Sequence, residues 1–134
     1  MAFDRLWHSE RMTLILPDTN ILLWPFNGGP DIVEELSQLL PQSQIEIADC
    51  VLRELKLLTI PEAKAALSLF KTFPIHNLGE GSADDLLFNA ANNGAVIVTN
   101  DAELIKRLKD AKFPVARPRG RYKLELIGWV GVQK

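Results

Sequence analysis

Aspartates stand at the ends of two apolar runs in this sequence. Asp18 closes the run 13–17, and Asp101 follows the run 95–99. In an open parallel sheet, ligands bind outside the carboxyl ends of the strands, so carboxylates placed there by separate strands lie near one another. Neighbouring carboxylates repel unless a cation lies between them, and hard ions such as Mg²⁺ or Mn²⁺ prefer oxygen ligands. The natural substrate of such a site is a phosphodiester, so the residues predict a metal-dependent nuclease.

Three further acidic residues are candidates for the same site. Glu54 lies on a predicted helix after the second strand, among apolar neighbours where a carboxylate needs a compensating charge. Asp84 and Asp85 open another predicted helix. Asp84 shares a helix face with Leu87, whereas Asp85 is placed to complete a capping box with Ser82. We therefore expect Asp84 to be the ligand, with Asp85 as the second choice.

Each of these acidic residues also has a purely structural explanation. Asp18 and Asp101 are placed to cap the helices that follow them, and carboxylates near a helix N-terminus are favourable in themselves. Glu54 could be a surface residue paired with Lys56 or Arg53. The sequence leaves both explanations open.

Alternating strands and helices would position these residues. Apolar runs of the buried-strand type cover 13–17, 45–49, 74–78, 95–99, 114–117 and 123–132. Helix-like spacing of apolar residues covers 31–40, 51–58, 61–73, 83–93 and 102–111. Such alternation predicts an α/β fold whose mostly parallel sheet is covered by helices.

Composition limits the class of protein. A chain of 134 residues that is 47% hydrophobic is one domain, which we place at 13–132 after an N-terminal extension, 1–12. A net charge of −2 supplies no global field for nucleic acid, so any basic surface is local. The single cysteine, Cys50, excludes an internal disulfide. We expect a cytoplasmic protein with no membrane segment, because no stretch approaches roughly 18 apolar residues.

The local basic surface is predicted near the end of the chain. Four basic residues alternate there: Arg117, Arg119, Arg121 and Lys123. In an extended segment they would project to one side and follow a phosphate backbone, although basic residues on an edge strand also deter aggregation. Tyr122 and Trp129 could stack on bases, but aromatic residues near strands more often pack in the core.

In their order and spacing, four motifs resemble the PIN domain family: LPDTN at 16–20, EL at 54–55, ADDLL at 83–87 and GAVIVTND at 94–101. The resemblance runs from about Thr13 to Ile127. It implies a three-layer α/β/α sandwich and ribonuclease activity with Mg²⁺ or Mn²⁺. The ligands carried over by this resemblance are Asp18, Glu54, Asp84 and Asp101.

Two polar residues of the same motifs are expected to assist the acidic ones. Asn20 would orient Asp18 or hold a water at the metal, and its structural alternative is helix capping. Thr99 would hydrogen-bond a carboxylate or the attacking water. Asp85 stays among the catalytic candidates as the alternative to Asp84.

The resemblance implies an endoribonuclease that hydrolyses RNA phosphodiester bonds. The motif 99–101 and the tail 117–128 look closer to the branch linked to ribosomal RNA processing than to toxin members, so we expect a role in RNA maturation or quality control. A toxin-type nuclease with an antitoxin partner, and a non-catalytic RNA-binding or ribosome-assembly module with an assembly-factor partner, are the alternatives. A homodimer is permitted by the apolar residues Leu22, Leu23, Trp24 and Phe26.

Overall fold

The computed structural model describes residues 12–128. Most of the predicted extension 1–12, the end of the predicted domain at 129–132 and Trp129 lie outside the described residues. The strands are β1 (Thr13–Pro17), β2 (Ser43–Ile45), β3 (Ile47–Ala48), β4 (Ile75–His76), β5 (Val96–Val98), β6 (Val115–Arg119) and β7 (Lys123–Ile127). The helices are α1 (Thr19–Leu23), α2 (Ile32–Leu39), α3 (Asp49–Leu57), α4 (Pro61–Phe70), α5 (Ala83–Asn92) and α6 (Ala102–Asp110), with a 3₁₀ turn at Trp24–Asn27.

Five strands form the main sheet in the order β2-β1-β5-β6-β7. All neighbours are parallel except β7, which pairs with β6 in the antiparallel direction. Val96, Ile97 and Val98 have no exposed surface, and consecutive strand residues point to opposite faces. Both faces of β5 are therefore covered, which is the arrangement of a parallel sheet between helical layers. The predicted α/β fold with a mostly parallel central sheet is confirmed.

The predicted strand 45–49 is wrong, because the chain changes sheets within it. The amide of Glu46 donates to the Ile15 carbonyl in the main sheet (3.0 Å), but the amide of Ile47 donates to the Pro74 carbonyl (2.9 Å). β3 then pairs with β4 in a separate two-stranded sheet. Asp49 is consequently the first residue of α3 rather than the end of a strand.

The four alternating basic residues do not lie in one extended segment, which was the condition for projecting to one side. β6 ends at Arg119, and β7 runs back beside it with Arg119 opposite Lys123 and Arg117 opposite Glu125. Gly120 permits this turn, since it has a φ of +68°, in the left-handed region that favours glycine. The basic residues therefore occupy a hairpin and its tip instead of one strand.

The apolar residues after β1 belong mainly to the core. Leu22 has no exposed surface and Leu23 is 7% exposed, so neither is available for a dimer contact. Trp24 and Phe26 are half-buried and pack against the core. No helix between residues 12 and 128 is long and apolar enough to cross a membrane.

Candidate active site

Thr99 joins the ends of the two central strands. Pro17 and Val98 are paired in the sheet, so the next residues of both strands, Asp18 and Thr99, are neighbours. The Thr99 hydroxyl, which has no exposed surface, donates to the carboxylate of Asp18 and accepts from the amide of Asp101 (3.0 Å). One buried side chain therefore fixes both strand-end aspartates.

The two strand-end aspartates also cap helices, as their structural explanation predicts. Asp18 Oδ1 accepts from the Ile21 amide at 3.2 Å. Asp101 Oδ1 accepts from the amides of Glu103 (2.8 Å) and Leu104 (3.0 Å). Each cap uses one carboxylate oxygen, so capping α1 and α6 leaves the second oxygen of Asp101 available and does not compete with a ligand role.

Glu54 reaches the site from α3. Its side chain is exposed, not buried as the apolar neighbours suggested, and its Oε1 accepts from the Thr19 hydroxyl at 2.6 Å. The alternative pairing with Arg53 is also wrong, because Arg53 contacts Asp49 and the Gly79 carbonyl. Glu54 is thus connected to the first residue of α1, directly after Asp18.

The structure separates the roles of Asp84 and Asp85. Asp84 lines the same pocket as Asp18, whereas the Asp85 carboxylate accepts from Arg107 Nη1 at 2.9 Å on α6. Arg107 also lies over the ring of Phe88, 4.6 Å from its centroid. Ser82 Oγ caps the Asp85 amide at 3.2 Å, so the contact with Arg107 takes the place of the reciprocal half of the predicted capping box.

Four acidic side chains from four segments line one pocket of about 530 Å³ at the carboxyl edge of the sheet. Its lining includes Asp18, Asn20, Glu54, Asp84 and Asp101. Burial raises the pKa of Asp18 to about 6, against hydrogen bonds from Thr99 and Ile21 that lower it, and the charges of Asp101 and Asp84 raise it further. Negative charge is therefore concentrated in this pocket, which we call the acidic pocket.

Neighbouring carboxylates also repel the charge of Asp84. Burial raises its pKa, and the charges of Asp101 and Glu54 add to the effect, while Arg107 opposes it. Within residues 12–128 no three acidic, histidine or cysteine side chains are close enough together to hold a metal ion. The donor set is nonetheless all oxygen and mutually repulsive, which fits a hard divalent cation that would draw the carboxylates inward.

Comparison with known proteins identifies the family to which this fold belongs. A family model described as a PIN like domain matches residues 15–121. The chain belongs to the PIN-like domain family. The resemblance seen in the motifs is therefore confirmed, and the match includes every acidic residue of the pocket.

Two curated ribonucleases are similar to this PIN-like domain in sequence. Ribonuclease VapC4 of Methanocaldococcus jannaschii is 28% identical over 131 residues, covering 89% of this chain and 100% of that protein. Ribonuclease VapC9 of Archaeoglobus fulgidus is 31% identical over 123 residues, covering 86% of this chain and 89% of that one. A solved structure, the PIN domain endonuclease Utp24, shares the fold with a TM-score of 0.75 at 24% identity, over 92% of this chain and 98% of that one.

One residue of the PIN-like domain that sequence reasoning missed is Asp49. Its carboxylate accepts from the amides of Cys50 (3.0 Å), Leu78 (2.8 Å) and Gly79 (3.3 Å). Arg53 completes the contact, with Nη1 3.4 Å from Asp49 Oδ2 and Nη2 donating to the Gly79 carbonyl at 2.7 Å. These contacts, here called the Asp49 latch, tie the helix of Glu54 to the loop that leads into α5.

The charge state of Asp49 reflects this position. Burial alone would raise its pKa, but the amides of Leu78, Gly79 and Cys50, with Arg53, outweigh burial and lower it. The signal in the sequence is an aspartate four residues before an arginine, which becomes a helical pair only if the helix begins at residue 49. The strand prediction for 45–49 concealed that pair.

The four predicted RNA-binding residues occupy different positions on the PIN-like domain. Arg117 Nε donates to Glu125 across the hairpin at 2.8 Å, so its charge is neutralised locally. Arg119, Arg121 and Lys123 are exposed around the tip of the hairpin. Tyr122, also at the tip, is 56% exposed. β6 is parallel to β1 and β5, so this tip lies at the same sheet edge as the acidic pocket.

Proposed function

We propose that this PIN-like domain is an endoribonuclease that hydrolyses RNA phosphodiester bonds with Mg²⁺ or Mn²⁺ as cofactor. The observation that carries the proposal is the acidic pocket, where carboxylates from four separate segments meet at the carboxyl edge of a parallel sheet. The two curated relatives, both ribonucleases that match nearly full length, support the reaction class.

Asp18, Glu54, Asp84 and Asp101 would hold the ion. When bound, such an ion lowers the pKa of a water molecule and offsets charge on the leaving oxygen. Thr99 keeps Asp18 and Asp101 in register by its two hydrogen bonds. A carboxylate of the pocket that does not itself contact the ion would accept a proton from the attacking water. Asn20, exposed on the pocket wall, would orient the water or the RNA.

Arg119, Arg121 and Lys123 would supply the contacts to RNA phosphates. They lie at the sheet edge that carries the acidic pocket, and between residues 12 and 128 none of them has an ion-pair partner. Their positive charge would offset the repulsion between a polyanion and an acidic pocket. The overall charge of −2 makes this local surface necessary.

The role we propose is maturation or quality control of RNA, including ribosomal RNA, in the cytoplasm. A toxin-type nuclease is the second candidate, and one observation favours it. Leu57 and Leu58 at the wall of the acidic pocket are 81% and 39% exposed, which suits a protein partner such as an antitoxin.

The test is cleavage of an RNA with single-stranded and hairpin parts by the purified protein in Mn²⁺, Mg²⁺ or EDTA. We expect cleavage with metal only, and its loss in Asp18→Asn and Asp101→Asn. Asp31→Asn is a matched control for Asp101→Asn, because Asp31 caps α2 by accepting from the amides of Val33 (3.0 Å) and Glu34 (3.3 Å) but lies outside the pocket.

Equal activity of Asp101→Asn and Asp31→Asn would show that Asp101 only caps its helix. RNA binding without cleavage in any metal would support the non-catalytic RNA-binding module instead. Circular dichroism of each variant must show an intact fold, since a capping loss alone costs about 0.5–2 kcal/mol.

A further inference from the structure

We propose that a second pocket, beside the acidic one, binds a single unpaired base of the RNA next to the phosphodiester that is cut. The inference rests on the proposed ribonuclease function and names its substrate as single-stranded at that nucleotide. The pocket, called here the base pocket, has a volume of about 390 Å³ and is lined in part by Asn20, Trp24, Asn27, Asn100 and Gly120.

The base pocket adjoins the acidic pocket directly. Asn20 lines both of them, and Asn100 of the base pocket immediately precedes Asp101 of the acidic pocket. An RNA strand with one phosphate among the carboxylates therefore places a neighbouring nucleotide at the base pocket. The volume is at the lower end of the range of about 300–1,000 Å³ that small-ligand pockets occupy, which suits one base rather than a base pair.

The chemistry of the lining matches the edge of a base. Asn20, Asn27 and Asn100 each offer an amide with two donors and an acceptor oxygen. All three residues are exposed, and none of their side chains hydrogen-bonds to another residue in the part of the chain that the structure describes. Free amides on a concave surface are suited to the Watson–Crick or Hoogsteen edge of an unstacked base.

Trp24 supplies an aromatic surface beside these amides. It is half-buried, and Gly29 lies against its indole so closely that an added Cβ would be 2.4 Å from Cδ1 and 2.6 Å from Nε1. The absence of a side chain at residue 29 therefore permits the position of the ring. A ring held in this way can contact a base at little entropic cost, as in other single-strand binding sites.

Two cationic residues are the chain neighbours of Gly120, which lines the base pocket. Arg119 and Arg121 flank Gly120, both are exposed, and neither has an ion-pair partner between residues 12 and 128. They can contact the phosphates on either side of a base that enters the pocket. The amides, the indole and the two arginines together offer contacts for the edge and ring of a base and for the adjoining phosphates.

The test uses a series of single-stranded RNAs that differ at one nucleotide, moved stepwise along the positions around the cut. At one position the wild-type protein should discriminate among the bases. An abasic nucleotide at that position should lower kcat/KM about tenfold, because the contact with one base is lost. Asn27→Ala and Trp24→Leu should remove this difference between normal and abasic RNA. Asn92→Ala, an exposed asparagine at the far end of α5, is the matched control and should retain it.

Equilibrium binding of the same RNAs in EDTA separates the two proposals. Cleavage with equal kcat/KM for all bases and for abasic RNA at every position would overturn the base pocket and leave the nuclease intact. Base-dependent binding that Asn27→Ala abolishes, without cleavage in any metal, would support the base pocket and overturn the nuclease. Two further results would overturn the base pocket. One is equal affinity for single-stranded RNA and for RNA that is double-stranded at that nucleotide, and the other is the absence of RNA binding.

Discussion

The acidic pocket has two halves that are held in different ways. The strand-end half, Asp18 and Asp101, is fixed by the buried hydroxyl of Thr99 and by backbone amides of two helices. The helix half, Glu54 and Asp84, is exposed, and the helices that carry it are joined through the Asp49 latch. One half is therefore set by the core of the sheet, whereas the other depends on polar contacts near the surface.

This difference fits a pocket that is lined by carboxylates although, within residues 12–128, no three of them lie close enough together to hold a metal ion. The strand-end half provides oxygen atoms held by hydrogen bonds, whereas in the helix half Asp84 has a raised pKa, in part because Asp101 and Glu54 repel its charge. Binding of a cation would reverse this repulsion and move the helix half inward. Variants in the two halves of the acidic pocket should therefore lose activity in different ways.

The largest expected effect distinguishes Asp84 of the helix half from the adjacent Asp85. Asp84→Asn should lower kcat by about 10²- to 10⁴-fold, the usual contribution of a positioned acid or base. Asp85→Asn should retain kcat within about threefold, because an exposed ion pair such as that with Arg107 is worth about 0–1 kcal/mol. Single-turnover cleavage in saturating Mn²⁺ measures both, and the reverse order would make Asp85 the functional acid.

The next effect disturbs the strand-end half without removing a carboxylate. Thr99→Val keeps the shape of the buried side chain but removes the hydroxyl that contacts Asp18 and the Asp101 amide. We expect a loss of about 10- to 100-fold in activity or Mn²⁺ affinity, the usual cost of losing a partner behind a metal ligand. Thr99→Ser retains the hydroxyl and should recover most of the activity. Equal losses in both variants would mean that Thr99 serves packing only.

A smaller effect, which depends on the Mn²⁺ concentration, is expected for a variant of the Asp49 latch. Asp49→Ala removes the acceptor of the Leu78 and Gly79 amides and should weaken activity about tenfold at limiting Mn²⁺, in the range for residues that support a metal ligand. High Mn²⁺ should restore the activity, because the ion itself can draw Asp84 into place. A loss that no Mn²⁺ concentration repairs would show that Asp49 acts through stability alone.

The smallest expected effect is a gain in stability. The folded-state pKa of Asp18, about 6, lies above its ordinary value of 3.8, so the ionised carboxylate destabilises the metal-free fold above pH 6. Asp18→Asn in EDTA should therefore be more stable at pH 7–8, by up to about 3 kcal/mol for a shift from 3.8 to about 6 at about 1.4 kcal/mol per pKa unit. The difference should shrink as pH falls from 6 to 4 and vanish below about pH 3, where the acid is neutral in both states.

Thermal unfolding with and without metal measures this effect. Mn²⁺ should raise the Tm of the wild-type protein and leave that of Asp18→Asn nearly unchanged, since the variant lacks a ligand. A variant that is less stable than wild type at pH 8 would indicate that the α1 cap outweighs the repulsion in the pocket. Such a result would contradict the electrostatic description of the strand-end half.

The sequence predicted the strand-end half better than the helix half for a physical reason. The run Thr13–Pro17 is apolar after Thr13 and mostly buried, so both its bounds and the position of Asp18 follow from local pattern. The end of the second predicted strand depends on which sheet the chain joins after Glu46, and no local periodicity contains that information. Asp49 was therefore misplaced, and its contacts with Leu78 and Gly79, about 30 residues away, were missed.

The acidic positions themselves were predictable, but their surroundings were not. Helix-face spacing favoured Asp84 over Asp85, but the contact of the Asp85 carboxylate with Arg107 on α6 could not be predicted from local pattern. The basic tail was predicted by composition, while the hairpin turn at Gly120 required knowledge of how β7 pairs. Ligand roles for the acidic residues stay predictions until the variants above are measured.

The Asp49 latch also affects the motions of the domain. Gly79, Glu80, Gly81 and Ser82 are all exposed, so this stretch is anchored by hydrogen bonds and an ion pair rather than by apolar burial. Segments held in this way open locally at a lower free energy than the packed core does. The complete acidic pocket would then exist only during the fraction of time in which the latch is closed, and opening would widen the entrance for RNA while the main sheet stays folded.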